Sequence, residues 1–248
     1  MHSIVILAGG MGKRMNKKYP NVPKVCIPIK GIPIIVRILR NAFCTLPQNI
    51  FIVVGDQKEK IKSTIEEYIT CEMELPLITY VIQDIPQGTG HALLCCIPEF
   101  EKVPTHDILI ICGDVPLLSM KTMNNLLNAE RSVIITAIKS NPHGLGRIIQ
   151  DTEKLVRIIE EKDCSDTERK IQKINCGIYN IKSSLLCKYL FMIGNDNAQK
   201  EYYLTDIIHI LSDNGHFVDE YLIPPESVHE CDGINTPEQL DVLEDYII

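Results

Sequence analysis

The 248-residue chain has no excess of positive charge, and that is its first exclusion. It carries 25 Lys and Arg against 32 Asp and Glu, a formal charge of −7 at pH 7. Phosphate backbones and anionic membrane surfaces attract basic faces, so a general nucleic-acid or membrane-surface binder is not expected. One nucleotide held in a local cationic pocket remains compatible. No CxxC pair occurs among the ten cysteines. They are scattered through mostly apolar surroundings, which suits small buried thiols in a reducing compartment and not a disulfide framework. No apolar stretch approaches the roughly 20 residues that cross a bilayer. Met1 to Leu7 is too short for a secretory signal and runs straight into a strand, so a cytoplasmic protein is expected. Also missing are HExxH, a spaced Cys/His set, GxSxG and a basic aromatic stripe, which leaves metalloprotease, serine-hydrolase and nucleic-acid-binder readings without a foothold. No hexapeptide repeat marks a β-helix, and no Pro/Gly/Ser-rich linker divides the chain.

What is present is a strand–helix rhythm. SIVILA is followed by a glycine loop, and IPIIVRILRNAF reads as an amphipathic helix. IFIVVG precedes the helical QKEKIKSTIEEYI, ITYVIQ precedes GTGHALLCCI, and DILIICGD precedes SMKTMNNLLNAE. Continuous apolar strands alternating with helices predict a mostly parallel, mixed sheet covered by helices on both faces. After SVIITAIKS the rhythm changes, and GRIIQD, KLVRIIEEKD and KINCGIYNI predict short strands of an antiparallel or mixed extension. EYYLTDIIHILSDNG predicts a helix ending at Gly215, and TPEQLDVLEDYII a final one with Pro237 in its first turn. A single domain is expected: 1–140 mainly for nucleotide, 141–235 for a second substrate, and 236–248 a terminal helix.

The loop LAGGMGKRM follows the first strand, where an α/β sheet places a phosphate site. Gly9, Gly10 and Gly12 would let backbone N–H groups approach phosphate oxygens, and Lys13 and Arg14 would add positive charge. It is not a Walker A loop, since the residue five before Gly12 is Leu7 and Arg14 follows Lys13. Nor is it a dinucleotide fingerprint, since Met15 stands three after Gly12. A plain glycine turn with solvated cations explains the stretch equally well. Lys24, between Pro23 and Pro28, is a second cation near the loop. Gln83 ends a strand with an amide suited to a pyrimidine edge, and Gly88, Thr89 and Gly90 make a tight turn into a helix. The same stretch also reads as an ordinary connection with Thr89 as N-cap and His91 in the first turn. Asp114, two residues past an apolar strand, is placed to hold Mg²⁺ on substrate phosphates, or else is a Gly-Asp turn before Pro116. Asn235 is a second metal ligand or a turn residue. Gly146, Glu160 and Asn175 could converge on sugar hydroxyls, and Glu161, Lys162 and Asp163 read as a solvated turn.

In this order LAGGMGKRM, PKV, QGTGHA, GDVPL, GLGRII, IIEEKD, INCGIY, EYYLTDII and GINTPEQL resemble the uridyltransferase domain of bacterial N-acetylglucosamine-1-phosphate uridyltransferases, over Ile4 to about Leu243. The resemblance implies a Rossmann-like nucleotide-diphospho-sugar transferase fold. It implies the reaction of UTP with N-acetylglucosamine 1-phosphate, giving UDP-N-acetylglucosamine and pyrophosphate with Mg²⁺. By matching motif, Leu7, Ala8, Gly9 and Gly10 would line the nucleotide, Arg14 and Lys24 would contact phosphates, and Gln83, Gly88 and Thr89 would read uracil. Cys112, Gly113 and Asp114 would lie along ribose and metal, and Gly146, Glu160, Asn175 and Thr205 would hold the amino sugar, with Asp114 and Asn235 as Mg²⁺ ligands. The chain departs from the family at Cys112, where Tyr is usual, and at Cys176 and Lys13, where Thr is usual; the stretch before Lys24 is also longer. The family's β-helical acetyltransferase domain has no counterpart here, so acetyl transfer is expected to be absent and the oligomeric state is left open. Alternatives are a thymidylyl- or guanylyltransferase and a non-catalytic nucleotide-sugar sensor.

Overall fold

The computed structural model describes residues 1–247 except 11, 13, 16, 71–76, 103–105 and 153. The first half contains β1 (His2–Leu7), the short pair β2 (Pro28–Ile29) and β3 (Ile32–Pro33), α1 (Ile34–Phe43), β4 (Ile50–Val54) and α2 (Lys58–Tyr68). There follow β5 (Ile78–Ile82), α3 (Thr89–Leu94), α4 (Ile97–Phe100), β6 (Asp107–Cys112), α5 (Met120–Leu127) and β7 (Val133–Ile138). The second half adds β8 (Arg147–Asp151), β9 (Lys154–Ile159), β10 (Lys173–Lys182) and α6 (Ser183–Tyr189). The chain then makes α7 (Asp206–Asp213), β11 (Asp219–Leu222) and α8 (Pro237–Glu244).

The central strands β1, β4, β6 and β7 are buried on both faces, as their consecutive apolar residues require. In β1, Ile4 and Ile6 enter one core with Ile35 and Leu39 of α1, Ile61 of α2, Met123 of α5 and Leu240 of α8. Val5 faces the other core, with Leu93 of α3, Phe100 of α4, Leu186 of α6 and Ile207 of α7. Helices therefore cover both faces, as the strand composition requires.

The nine-stranded sheet has the order β11-β7-β10-β6-β1-β4-β5, with β8 on β10 and β9 on β8. The pairs β1–β4, β1–β6, β4–β5 and β7–β11 are parallel, and β10 runs antiparallel to β6, β7 and β8. With β9 antiparallel to β8, all the strands but β9 and β10 point the same way. The mostly parallel sheet is thus borne out. The chain steps outward from β1 through β4 to β5, then returns to lay β6 on the other side of β1. That reversal opens a crevice at the carboxyl ends of β1 and β6, the usual ligand site of an open α/β sheet.

Three elements differ from the sequence reading. Ile32 and Pro33 pair with β2, and α1 starts only at Ile34. GTGHALLCCI breaks into α3 and α4, with a proline in the first turn of α4. Residues 201–205 stay out of α7 because tertiary bonds claim their backbone: Tyr202 N donates to Gln87 O at 2.8 Å and Gly90 N to Tyr202 O at 2.7 Å. The nine described cysteines are free, and five of them are buried; Cys44 is exposed, against the expectation, and Cys71 lies outside the described residues.

Candidate active site

The crevice holds a cleft of about 340 Å³. Its wall is formed by Leu7, Ala8, Gly9 and Gly10 after β1, by Gln83, Gly88 and Thr89 between β5 and α3, and by Cys112, Gly113, Asp114 and Lys24. Register explains the assembly: Leu7 pairs with Cys112 on one side and Val53 on the other, so the loops after β1 and β6 leave the sheet side by side. Gly113 N then donates to Leu7 O at 3.0 Å, which ties the two loops together.

At one end of the cleft three groups meet. Lys24 Nζ donates to Asp114 Oδ2 at 2.6 Å and to Asn235 Oδ1 at 3.1 Å. The ion pair is mostly shielded, with side-chain exposures of 14% and 18%. Lys24 is aimed by the 3₁₀ turn Lys24–Cys26, whose Val25 and Cys26 are buried beneath it. Asn235 is held by the start of α8, where TPEQ forms a capping box between Thr236 and Gln239. Gln239 Oε1 also accepts from Asn235 N at 2.7 Å. Ile234 N donates to Asp114 O at 2.9 Å, fixing the two loops in register. Among the described residues no group of three or more His, Cys, Asp or Glu could hold a metal ion. A carboxylate and an amide oxygen do converge on one cation. Two hard oxygens are the donor set that suits Mg²⁺ shared with substrate phosphates, so these residues fit that ion.

The turn between β5 and α3 is shaped by Gly88. Its φ is +104°, and a Cβ there would lie 2.5 Å from Tyr202 O, so no other residue fits. Gly88 itself is the N-cap of α3, and Thr89 Oγ1 accepts instead from Leu204 N at 3.1 Å. Thr89 as N-cap is therefore corrected.

Beyond Cys112 a second group gathers. Cys112 Sγ donates to Gly177 O at 3.4 Å, inside an irregularity of β10 between Asn175 and Tyr179. Burial pushes the Cys112 thiol up to about 12, with the Asp114 carboxylate adding to the effect. Asn175 N donates to Gly146 O at 2.9 Å, Asn175 Nδ2 donates to Tyr179 Oη at 2.7 Å, and Gly177 N donates to Asn175 Oδ1 at 3.2 Å. A Cβ on Gly146 would lie 2.9 Å from Ile158 and 3.7 Å from Glu160 Oε2. Thr205 Oγ1 donates to Glu160 Oε1 at 3.1 Å. Burial raises the Glu160 carboxyl above its ordinary range; the Thr205 bond opposes this, and Asp206 and Asp163 add to it.

A family model described as a MobA-like NTP transferase domain matches residues 4–173. The chain belongs to the MobA-like NTP transferases. This NTP transferase is 38% identical over 248 residues to a protein of Acanthamoeba polyphaga mimivirus named probable UDP-N-acetylglucosamine pyrophosphorylase, covering 97% of this chain and 94% of that one. It is 37% identical over 242 residues to the bifunctional protein GlmU of Geotalea uraniireducens, covering 95% of this chain and 50% of that one. The chain thus spans about half the length of that relative. Among solved structures it resembles UDP-glucose pyrophosphorylase complexed with UDP-glucose, with a TM-score of 0.75, 14% identity, and coverage of 99% of this chain and 98% of that one. That likeness carries the fold. The Rossmann-like nucleotidyltransferase architecture and the family resemblance read from the motifs are both borne out.

In this NTP transferase nearly all the residues singled out from the motifs fall into the two groups just described. Arg14 is the exception. It is exposed in the turn after Gly12 and does not line the cleft, and its neighbour Lys13 lies outside the described residues. Lys24 reaches Asp114 despite the longer stretch before it. Glu161 and Asp163 are not a purely solvated turn: Glu161 Oε2 accepts from Arg147 at 2.6 Å, and Asp163 Oδ1 accepts from Ala198 N at 2.9 Å. Sequence reasoning missed Val25, Pro86, Ala92 and Glu201 on the cleft wall. Glu201 was hidden by its helix-like context, and the other three are apolar residues with no chemical signal. Among the described residues no helix is long and apolar enough to cross a membrane.

Proposed function

We propose that the chain joins UTP to N-acetylglucosamine 1-phosphate, giving UDP-N-acetylglucosamine and pyrophosphate by in-line displacement at the α-phosphorus. The observation that carries this reading is the convergence of Lys24, Asp114 and Asn235 at the end of a glycine-walled cleft, next to a second polar group around Glu160. The names of the relatives supply the base and sugar.

A sugar-1-phosphate oxygen is already anionic at neutral pH, so the chemistry needs position and charge neutralisation more than a general base. That agrees with a cleft wall that, among the described residues, carries neither serine nor histidine, and whose Cys112 thiol is protonated and bonded to Gly177 O. Leu7 to Gly10 and Gly113 would follow the nucleoside, and Gln83, Gly88 and Thr89 its base. Lys24 would neutralise phosphate oxygens, with Arg14 completing the charge from its exposed turn. Asp114 and Asn235 would hold Mg²⁺, which when bound supplies Lewis-acid neutralisation of phosphate oxygens. Gly146, Glu160, Asn175 and Thr205 would meet the amino sugar. Gly146, lacking a side chain, lets Ile158 and Glu160 pack close to its backbone, and Glu160 and Thr205 offer an acceptor and a hydroxyl.

Pyrophosphate release measured with UTP, dTTP, GTP and CTP against several sugar 1-phosphates tests the reading. UTP with N-acetylglucosamine 1-phosphate should be the preferred pair, and chelation of Mg²⁺ should stop release. Another preferred pair would reassign the substrates, and no release with any pair would leave a nucleotide-sugar sensor.

A further inference from the structure

His91 stands behind the cleft wall, in the first turn of α3, in contact with Gln83. Gln83 is 5% exposed. Its Nε2 donates to Gly88 O at 3.1 Å and lies 3.0 Å from His91 Nδ1. An amide nitrogen has two protons and no accepting lone pair, so Nδ1 must be the acceptor, and the neutral ring carries its proton on Nε2. The carbonyl oxygen as first partner fixes which end of the amide is nitrogen. Both donors of Gln83 are thereby engaged inside the wall. The remaining atom, Oε1, faces Gly9 on the cleft: a Cβ built on Gly9 would stand 3.2 Å from it. The imidazole is held in turn. Gly90 N is bonded to Tyr202 O, and the ring lies 6.1 Å from that of Tyr202, centroid to centroid.

A side chain whose only free group is an acceptor discriminates between bases. The N3–H of an imide base such as uracil is a donor, whereas N3 of cytosine is itself an acceptor. Facing Oε1, the first makes a hydrogen bond and the second sets two lone pairs against each other. If Gly88 O held the amide alone, one N–H would be unpaired and the plane free to pivot. A half-turn would then present the NH₂ group to the cleft, which suits cytosine. We propose that His91 is a positioning residue that locks the Gln83 amide acceptor-outward and so sets the preference for an imide base over cytosine. The inference rests on the reading of the cleft as a pyrimidine-nucleotide site.

The test compares the wild type with His91→Leu, which removes the acceptor, and His91→Asn, whose Oδ1 stands close to the position of Nδ1. Pyrophosphate release is measured with UTP and CTP. In His91→Leu the KM for UTP should rise about five- to tenfold, the size of one hydrogen bond, and the UTP-to-CTP ratio of kcat/KM should fall by a similar factor. The kcat at saturation should stay within about twofold, and His91→Asn should restore the ratio. An unchanged ratio in His91→Leu overturns the proposal, including the case where kcat and Tm fall together, which would mark a merely structural role. Should His91→Leu fail to fold, ¹⁵N NMR of histidine-labelled wild type decides the matter. An Nε2–H tautomer with unprotonated Nδ1 upholds the lock, and an Nδ1–H tautomer overturns it. Wild type that releases pyrophosphate from no nucleotide would defeat the functional reading instead, with the tautomer still readable.

Discussion

Glu160, proposed above to meet the amino sugar, shows how a buried carboxyl can cost stability. Its carboxyl is largely buried, and burial outweighs the hydrogen bond from Thr205 and leaves its pKa above the ordinary value. In the unfolded chain the group titrates near about 4.3. Between that value and the raised one the folded state binds more protons, so stability is full at the acid end and is lost as pH rises through the folded pKa. Glu160→Gln removes the ionisation. Its Tm should match the wild type near the acid end of the window and exceed it increasingly toward neutral pH, as thermal melts across that range will read. The same variant should raise the KM for the sugar phosphate about tenfold, the scale of a charged hydrogen bond, with the KM for UTP little changed. A Tm gap that shrinks as pH rises would contradict the assignment. At this scale the sequence was informative where a residue type is chemically scarce in its motif, as with Lys24, Asp114 and Gln83. It was silent about His91, because a histidine in a helix's first turn reads as ordinary until its partner is seen.

The hairpin of β8 and β9 carries Gly146 and Glu160 at its mouth, and Arg147 anchors it from beneath. That side chain is 1% exposed. It donates to Glu161 Oε2 at 2.6 Å, to Arg169 O at 3.3 Å and to Leu145 O. Glu161 in turn accepts from Gly144 N at 3.1 Å, so one ion pair fixes both strand ends. Breaking a buried pair from one side costs about 3 kcal/mol, taken at the low end because Glu161 keeps some contact with water. Arg147→Met, which keeps the volume, should therefore lower Tm by about 6–12 °C and raise the KM for the sugar phosphate. Differential scanning calorimetry with steady-state kinetics checks both, and an unchanged Tm would show that the pair carries no stability. Element identity was legible where periodicity is long, as in α1 and α2. Ends set by distant bonds were not: residues 201–205 read as helix, and Gln87, Thr89 and Gly90 hold them out of it.

Across the whole molecule, the parallel half could be read from its apolar runs, since a run reports burial on both faces. It does not report which strand lies beside which. Nothing in KINCGIYNI says that it inserts between DILIIC and VIITAI, yet β10 is the strand that joins β6 to β7. This has a consequence in time. A chain emerging from the ribosome makes β6 and β7 well before residues 173–182, and among the described residues β7 pairs with β10 and β11 alone. Until then β7 has no neighbour, and β6 presents a bare edge of Ile108 to Ile111 to any other chain. A fragment of residues 1–140 should consequently aggregate, and light scattering or sedimentation will show it; a monomeric fragment with a cooperative melt would refute the idea. Synthesis of this protein thus passes through a sticky interval that ends only when one late strand arrives, and the density of long-range pairings makes that interval slow to close.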